Sequence, residues 1–64
     1  MSKLKLRREA FNLSQSQLAE RSGVNLRTLQ DYEQGRKDIN KAQGLTLYKI
    51  AQALNTSVED LLEI

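Results

Sequence analysis

Neither cysteine nor histidine occurs in the 64 residues. The first absence excludes a disulfide framework and thiolate metal sites. The second removes the commonest general base and the commonest metal ligand. Proline and tryptophan are also absent, and the aromatic side chains are limited to Phe11, Tyr32 and Tyr48. That leaves little to stack on unpaired bases, which disfavours a binder of single-stranded RNA. No apolar run approaches the ~18 residues of a membrane span, and the N-terminus lacks a signal-peptide pattern. The expected location is therefore cytoplasmic. A chain this short buries only ~60% of its unfolded surface, so it has no deep interior for an enclosed active site. It also has no glycine-rich phosphate loop and no spaced carboxylate pair in a plausible pocket. An enzyme is excluded on these grounds, and no cofactor or metal is expected.

What the chain does have is uneven charge. The net charge is only +2. All ten Lys and Arg and five of the eight acids fall in residues 1–49, a net +5, whereas residues 50–64 carry three acids and no base, a net −3. A basic body with an acidic end suits an anionic partner on one side, and it equally suits a solvated surface.

No alternating run rich in Val, Ile or Thr suggests a strand, and helical punctuation is dense. The pattern predicts an all-α domain over 1–64 with five helices. The first runs from Ser2 or Lys3 to Phe11, with Leu4, Arg8 and Phe11 on one face, and Asn12 ends it in a left-handed turn. The second is capped by Ser14, with Gln17 completing a capping box. Leu18 and Ala19 face inward and Gly23 closes it. The third has Asn25 as N-cap, Val24 as an apolar plug, and Leu29 and Tyr32 on the buried side, and it stops at Gly35. Residues 36–40 form a loop. Asn40 is the expected cap of a fourth helix, which carries the stripe Leu47, Ile50, Ala51, Leu54 and ends at Asn55. Ser57 is the expected cap of a fifth, with Glu59 and Asp60 in its first turn and Val58, Leu61 and Leu62 closing the core.

Two short helices meeting across Gly23 and Val24 make a helix-turn-helix. The third helix is held from behind by Leu18, Ala19, Leu29 and Tyr32. Its leading end and outer face are then free to enter a major groove ~12 Å wide, which admits one α-helix. Leu13-Ser14-Gln15, Leu18-Ala19, Gly23-Val24, Leu29, Tyr32-Glu33 and Gly35 together resemble the helix-turn-helix family of phage repressor and Cro type. Lys49-Ile50-Ala51-Gln52-Ala53-Leu54, Ser57 and Leu61-Leu62 resemble the last two helices of that family. The resemblance covers nearly the whole chain and implies a compact five-helix bundle.

It also implies roles. Leu26, Arg27 and Asp31 match positions that face base edges, with Asn25 and Thr28 beside them. Gln15 matches a glutamine that holds a phosphate and braces the recognition helix. Gln34, Arg36 and Lys37 match the phosphate-contacting end of that helix and the loop after it. Arg8 and Glu33 match a partly buried ion pair. Three features depart from the pattern. The loop after Gly35 is longer, Arg7 replaces an apolar residue, and Asp31 places a negative charge on the DNA-facing side, where it either accepts from a cytosine amino group or weakens binding.

Each position also has a plainer reading. Arg27 is either a base-reading fork or a solvated charge, and Leu26 either meets a thymine methyl or extends the core. Gln15 either clamps a phosphate or simply begins a helix. Arg36 and Lys37 complement the helix dipole as well as they suit phosphates. Lys41 has no dipole reason for its place, which favours phosphate. Lys3, Lys5 and Arg7 read as a solvated face.

The partner expected from these residues is a palindromic double-stranded DNA operator, bound by a homodimer at least on DNA and consistent with a nucleoid location. Leu45, Tyr48, Leu62 and Ile64 are the candidates for the dimer contact. The alternative is an antitoxin-type module that binds operator DNA and also docks a toxin partner on its acidic fifth helix.

Overall fold

The computed structural model describes residues 2–64. Four α-helices, α1 (Lys3–Ala10), α2 (Gln15–Ser22), α3 (Leu26–Glu33) and α4 (Gly44–Ala53), are joined by short turns, with no strand among the described residues. Two 3-10 turns complete the chain, Ile39–Lys41 after α3 and Val58–Leu61 after α4.

Local chemistry sets most helix ends. The Ser2 side chain accepts from the Lys5 N–H to start α1. At α2 the capping box is complete: Gln17 N–H donates to Ser14 Oγ at 3.1 Å and Ser14 N–H donates to Gln17 Oε1 at 2.8 Å. These bonds satisfy N–H groups that the helix itself leaves unpaired. Asn12 and Asn55 turn the chain after α1 and α4 with positive φ, as their side chains tolerate. Gly23 has φ +72° and its N–H donates to the Ala19 carbonyl at 2.9 Å. This left-handed closure lets α3 start three residues later.

Leu4, Leu18, Leu29, Ile50 and Leu61 are fully buried, one or more from every α-helix and one from the last turn. Leu13, Val24, Ile39, Leu47, Ala51 and Leu54 complete the core, and Tyr32, Val58 and Leu62 pack on its edge. α2 packs on both α3 and α4, while α1 packs on α3 and on the Val58–Leu61 turn. α3 is thus supported from two sides.

Four local expectations are corrected. The fifth helix is a four-residue 3-10 turn, and Ser57 makes no side-chain cap bond there. After Leu61 the backbone becomes extended, because the chain is drawn across the molecule. Glu63 N–H donates to Asn40 Oδ1 at 2.8 Å and Glu63 Oε1 accepts from the Lys3 N–H at 2.7 Å. Asn40 therefore does not cap α4. It lies in the Ile39–Lys41 turn, capped by Asp38, while Gln43 precedes α4 without a side-chain bond. Phe11 is exposed rather than on the inner face of α1, because that helix ends at Ala10 and Leu13 takes the interior place.

Candidate nucleic-acid interface

The leading end of α3 stands clear of the body. Asn25 Oδ1 accepts from the Arg27 N–H at 2.8 Å, so the asparagine caps the helix and remains exposed. Leu26 is exposed and outside the core, and Thr28 is half-buried. The Arg27 side chain is 75% exposed. Two residues on, Leu29 is fully buried and anchors the helix from behind. Val24 is buried at the turn, where its N–H donates to Ser22 Oγ at 3.1 Å. That buried serine stiffens the bend between α2 and α3. Sequence reasoning missed it, since a serine in the last turn of a helix carries no distinctive signal.

The acidic C-terminal residues do not cover this end. Glu63 lines a depression with Ser2, Tyr32, Gln34, Gly35 and Asp38, at the opposite end of α3. Asp60 accepts from the Thr56 hydroxyl at 2.7 Å and meets Arg7 at 3.5 Å. The Thr56 hydrogen bond is the main reason that its carboxyl is held below the usual range.

A buried polar junction fixes the far end of α3. Arg8 Nε and Nη2 donate to the two oxygens of Glu33 at 2.8 and 2.9 Å, and Arg8 Nη1 donates to the Leu13 carbonyl at 2.7 Å. Gln15 Nε2 donates to Glu33 Oε1 at 3.1 Å. One carboxylate thus ties α1, the start of α2 and the end of α3 together. A two-pronged arginine–carboxylate pair is directional as well as strong. The Glu33 hydrogen bond raises the Arg8 pKa and outweighs the opposing effect of burial. Gln15 sits at the first position of α2, half-buried, beside backbone N–H groups that favour an anion.

A second cluster gathers around Asp31. This residue is buried, although it belongs to the helix whose front is exposed. Its Oδ1 accepts from Arg36 Nε at 2.8 Å and from Arg27 Nε at 3.2 Å, and Lys37 Nζ lies 3.8 Å from Oδ2. The Asp31 carbonyl also accepts from the Arg36 and Lys37 N–H groups, so the loop folds back over it. Its carboxyl is held below the ordinary carboxylate range, chiefly by the Arg36 hydrogen bond. Arg36 Nη1 in turn donates to Gln34 Oε1. Expected among the groups facing bases, Asp31 instead has its carboxylate engaged by basic side chains. The i, i+4 spacing from Arg27 was a legible signal for half of this cluster.

Gln34, Arg36, Lys37 and Lys41 are all exposed, the last in the 3-10 turn. Basic groups therefore flank the end of α3, and an exposed polar edge marks its start.

A family model described as Helix-turn-helix matches residues 4–61. No curated protein and no solved structure matches the chain.

Proposed function

The chain belongs to the helix-turn-helix family of phage repressor and Cro (XRE-like) type, whose members are DNA-binding transcription regulators, and from this we propose that it is a repressor that lays α3 in the major groove of an operator. The observation that carries the reading is the exposed front of α3, with Asn25, Leu26 and Arg27 outward and Leu29 locked into the core behind them. An α-helix is ~10–12 Å across with its side chains, so the eight-residue α3 fits a groove ~12 Å wide.

In this reading Asn25, Leu26, Arg27 and Thr28 approach base edges. Gln15, Gln34, Arg36, Lys37 and Lys41 approach phosphates, which supply most of the affinity and make it salt-dependent. Gln15 would use its amide both on Glu33 and on a phosphate, because it has two N–H donors. One such module covers only ~600–1,000 Å² of its own surface, so a single copy binds weakly. Two copies on half-sites ~34 Å apart overcome this. Leu45, Tyr48 and Ile64 are exposed and available for a dimer contact, whereas Leu62 packs on the core.

The antitoxin-type alternative relied on an acidic fifth helix as a docking face. That segment is a short turn and an extended tail, with Asp60 and Glu63 hydrogen-bonded to other residues of the same chain. The operator reading is the one we retain.

Selection of binding sites from random duplex DNA tests it, and a recovered motif with twofold symmetry is the expected result. Failure to enrich any sequence would count against it. Arg27→Ala is expected to weaken the selected site by ~1–3 kcal/mol and random DNA far less, as read by fluorescence anisotropy. Equal losses on both would remove Arg27 from base reading. Gln15→Ala is expected to weaken all sequences alike and to leave the order of preference intact, since a phosphate contact carries no base information. A reordered preference would contradict the phosphate role.

A further inference from the structure

We propose that Asp31 is a specificity-determining positioning residue. Its carboxylate holds Arg27 by Nε so that the arginine presents only its Nη1/Nη2 fork, the geometry that selects guanine. The inference rests on the base-reading role proposed for Arg27.

Three observations lead to it. First, the Asp31 side chain is only 10% exposed, yet it lies one helical turn behind an Arg27 side chain that is 75% exposed. The buried partner is held by its bond to Arg36, and the exposed one is tethered to it. Second, the bond to Arg27 is made through Nε at 3.2 Å. The Nη groups of Arg27 make no hydrogen bond to any of the described residues. A guanidinium held at Nε keeps two parallel N–H donors pointing away from the anchor. Guanine offers two acceptors, O6 and N7, side by side in the major groove. Adenine offers N7 beside an amino donor, which would oppose the second N–H. Third, the same Oδ1 accepts from Arg36 Nε at 2.8 Å, and Arg36 also reaches Gln34. The loop proposed to meet phosphates is therefore locked in register with the base-reading arginine.

An untethered arginine loses torsional freedom when it docks, and it docks on phosphates as readily as on bases. Holding Nε in advance removes part of that cost and restricts the choice of partner. A bare carboxylate at this place would repel the acceptor-rich edges of bases and the phosphates beside them. Here its charge is met by two arginines, with Lys37 nearby.

The test compares the wild-type chain with Asp31→Ala in selection from random duplex DNA. Dissociation constants are then measured at one fixed salt concentration for the selected duplex and a scrambled one. The wild type is expected to show a guanine at one position of each half-site. In Asp31→Ala that preference relaxes and the ratio of specific to scrambled affinity falls about tenfold, in line with the loss of one bidentate contact. Affinity for the scrambled duplex does not fall, because a negative charge is gone and two arginines are released to phosphates.

Equal changes on both duplexes, with the guanine preference intact, would overturn the inference. An equal loss would mark Asp31 as merely structural, and an equal gain as merely electrostatic. Asp31→Leu removes both oxygens at similar side-chain size and is read by the same criteria, so the comparison survives if the alanine variant does not fold. A wild-type chain with no preference among the random duplexes would overturn base reading itself. A wild-type preference that persists unchanged in both variants would overturn the role of Asp31 alone.

Discussion

Glu33→Ala is expected to lower the stability of the folded chain by about 3–5 kcal/mol, the usual loss when one member of a buried ion pair is removed. The Glu33 side chain is 2% exposed and receives both prongs of Arg8, whose own side chain is 10% exposed. Without the carboxylate, the Arg8 charge stays buried with only the Leu13 carbonyl as acceptor, and Gln15 loses its partner across the α2–α3 junction. Small domains sit at the low end of the ~5–15 kcal/mol range, so the variant should be largely unfolded. Urea denaturation followed by circular dichroism measures the loss. The pair Arg8→Met with Glu33→Leu removes both charges together and should recover much of the stability, because no uncompensated ion remains. A double variant no more stable than Glu33→Ala would show that the junction matters for its shape and not for its charge balance. Restored stability with impaired DNA binding would fit a junction that serves mainly to aim α3.

Leu18→Ala is expected to cost about 2–5 kcal/mol, the range for buried leucines that leave a cavity. Leu18 is fully buried on α2, the helix that packs on both α3 and α4. In a domain of this size each kcal/mol moves the melting temperature by ~4–8 °C, so the shift in a thermal melt should exceed ~10 °C. Leu45→Ala is the matched control. That leucine is 63% exposed on α4, and its removal should change stability by no more than ~0.5 kcal/mol. Similar melting shifts for the two variants would contradict this division between core and surface.

Both effects act on α3 from behind. Its outer side chains are supported by Leu29 in the core, by Arg8 and Gln15 at its far end, and by the Ser22–Val24 bend at its start. A recognition element built this way needs little rearrangement on docking, which is how a small module retains affinity.

Much of this arrangement was legible from spacing alone. The Ser14 capping box, the left-handed turns at Asn12 and Gly23, the helix end at Asn55, and the buried stripe Leu47, Ile50, Ala51, Leu54 all appear as read. Each depends on residues within a few positions of one another, where backbone sterics and helical periodicity are enough to decide. The Arg8–Glu33 contact was legible only through family resemblance, because its partners lie 25 residues apart. Other features were not legible. Asn40 is taken from its expected capping role by a bond to a residue 23 positions away, and the first N–H of α1 is met by Glu63, 60 positions on. The last segment gives up a helix for these contacts. Asp31 shows the same competition at the candidate site, since Arg36 reaches it only because the loop after α3 folds back.

The order of amino acids thus determined by itself where the four α-helices lie, most of their apolar faces and that α3 follows a tight bend, since these are local consequences of covalent geometry and side-chain size. Tertiary structure alone decided how polar and charged side chains far apart in the chain pair. Such bonds are specific only at contact distance, and that distance is set by packing between segments remote in the chain.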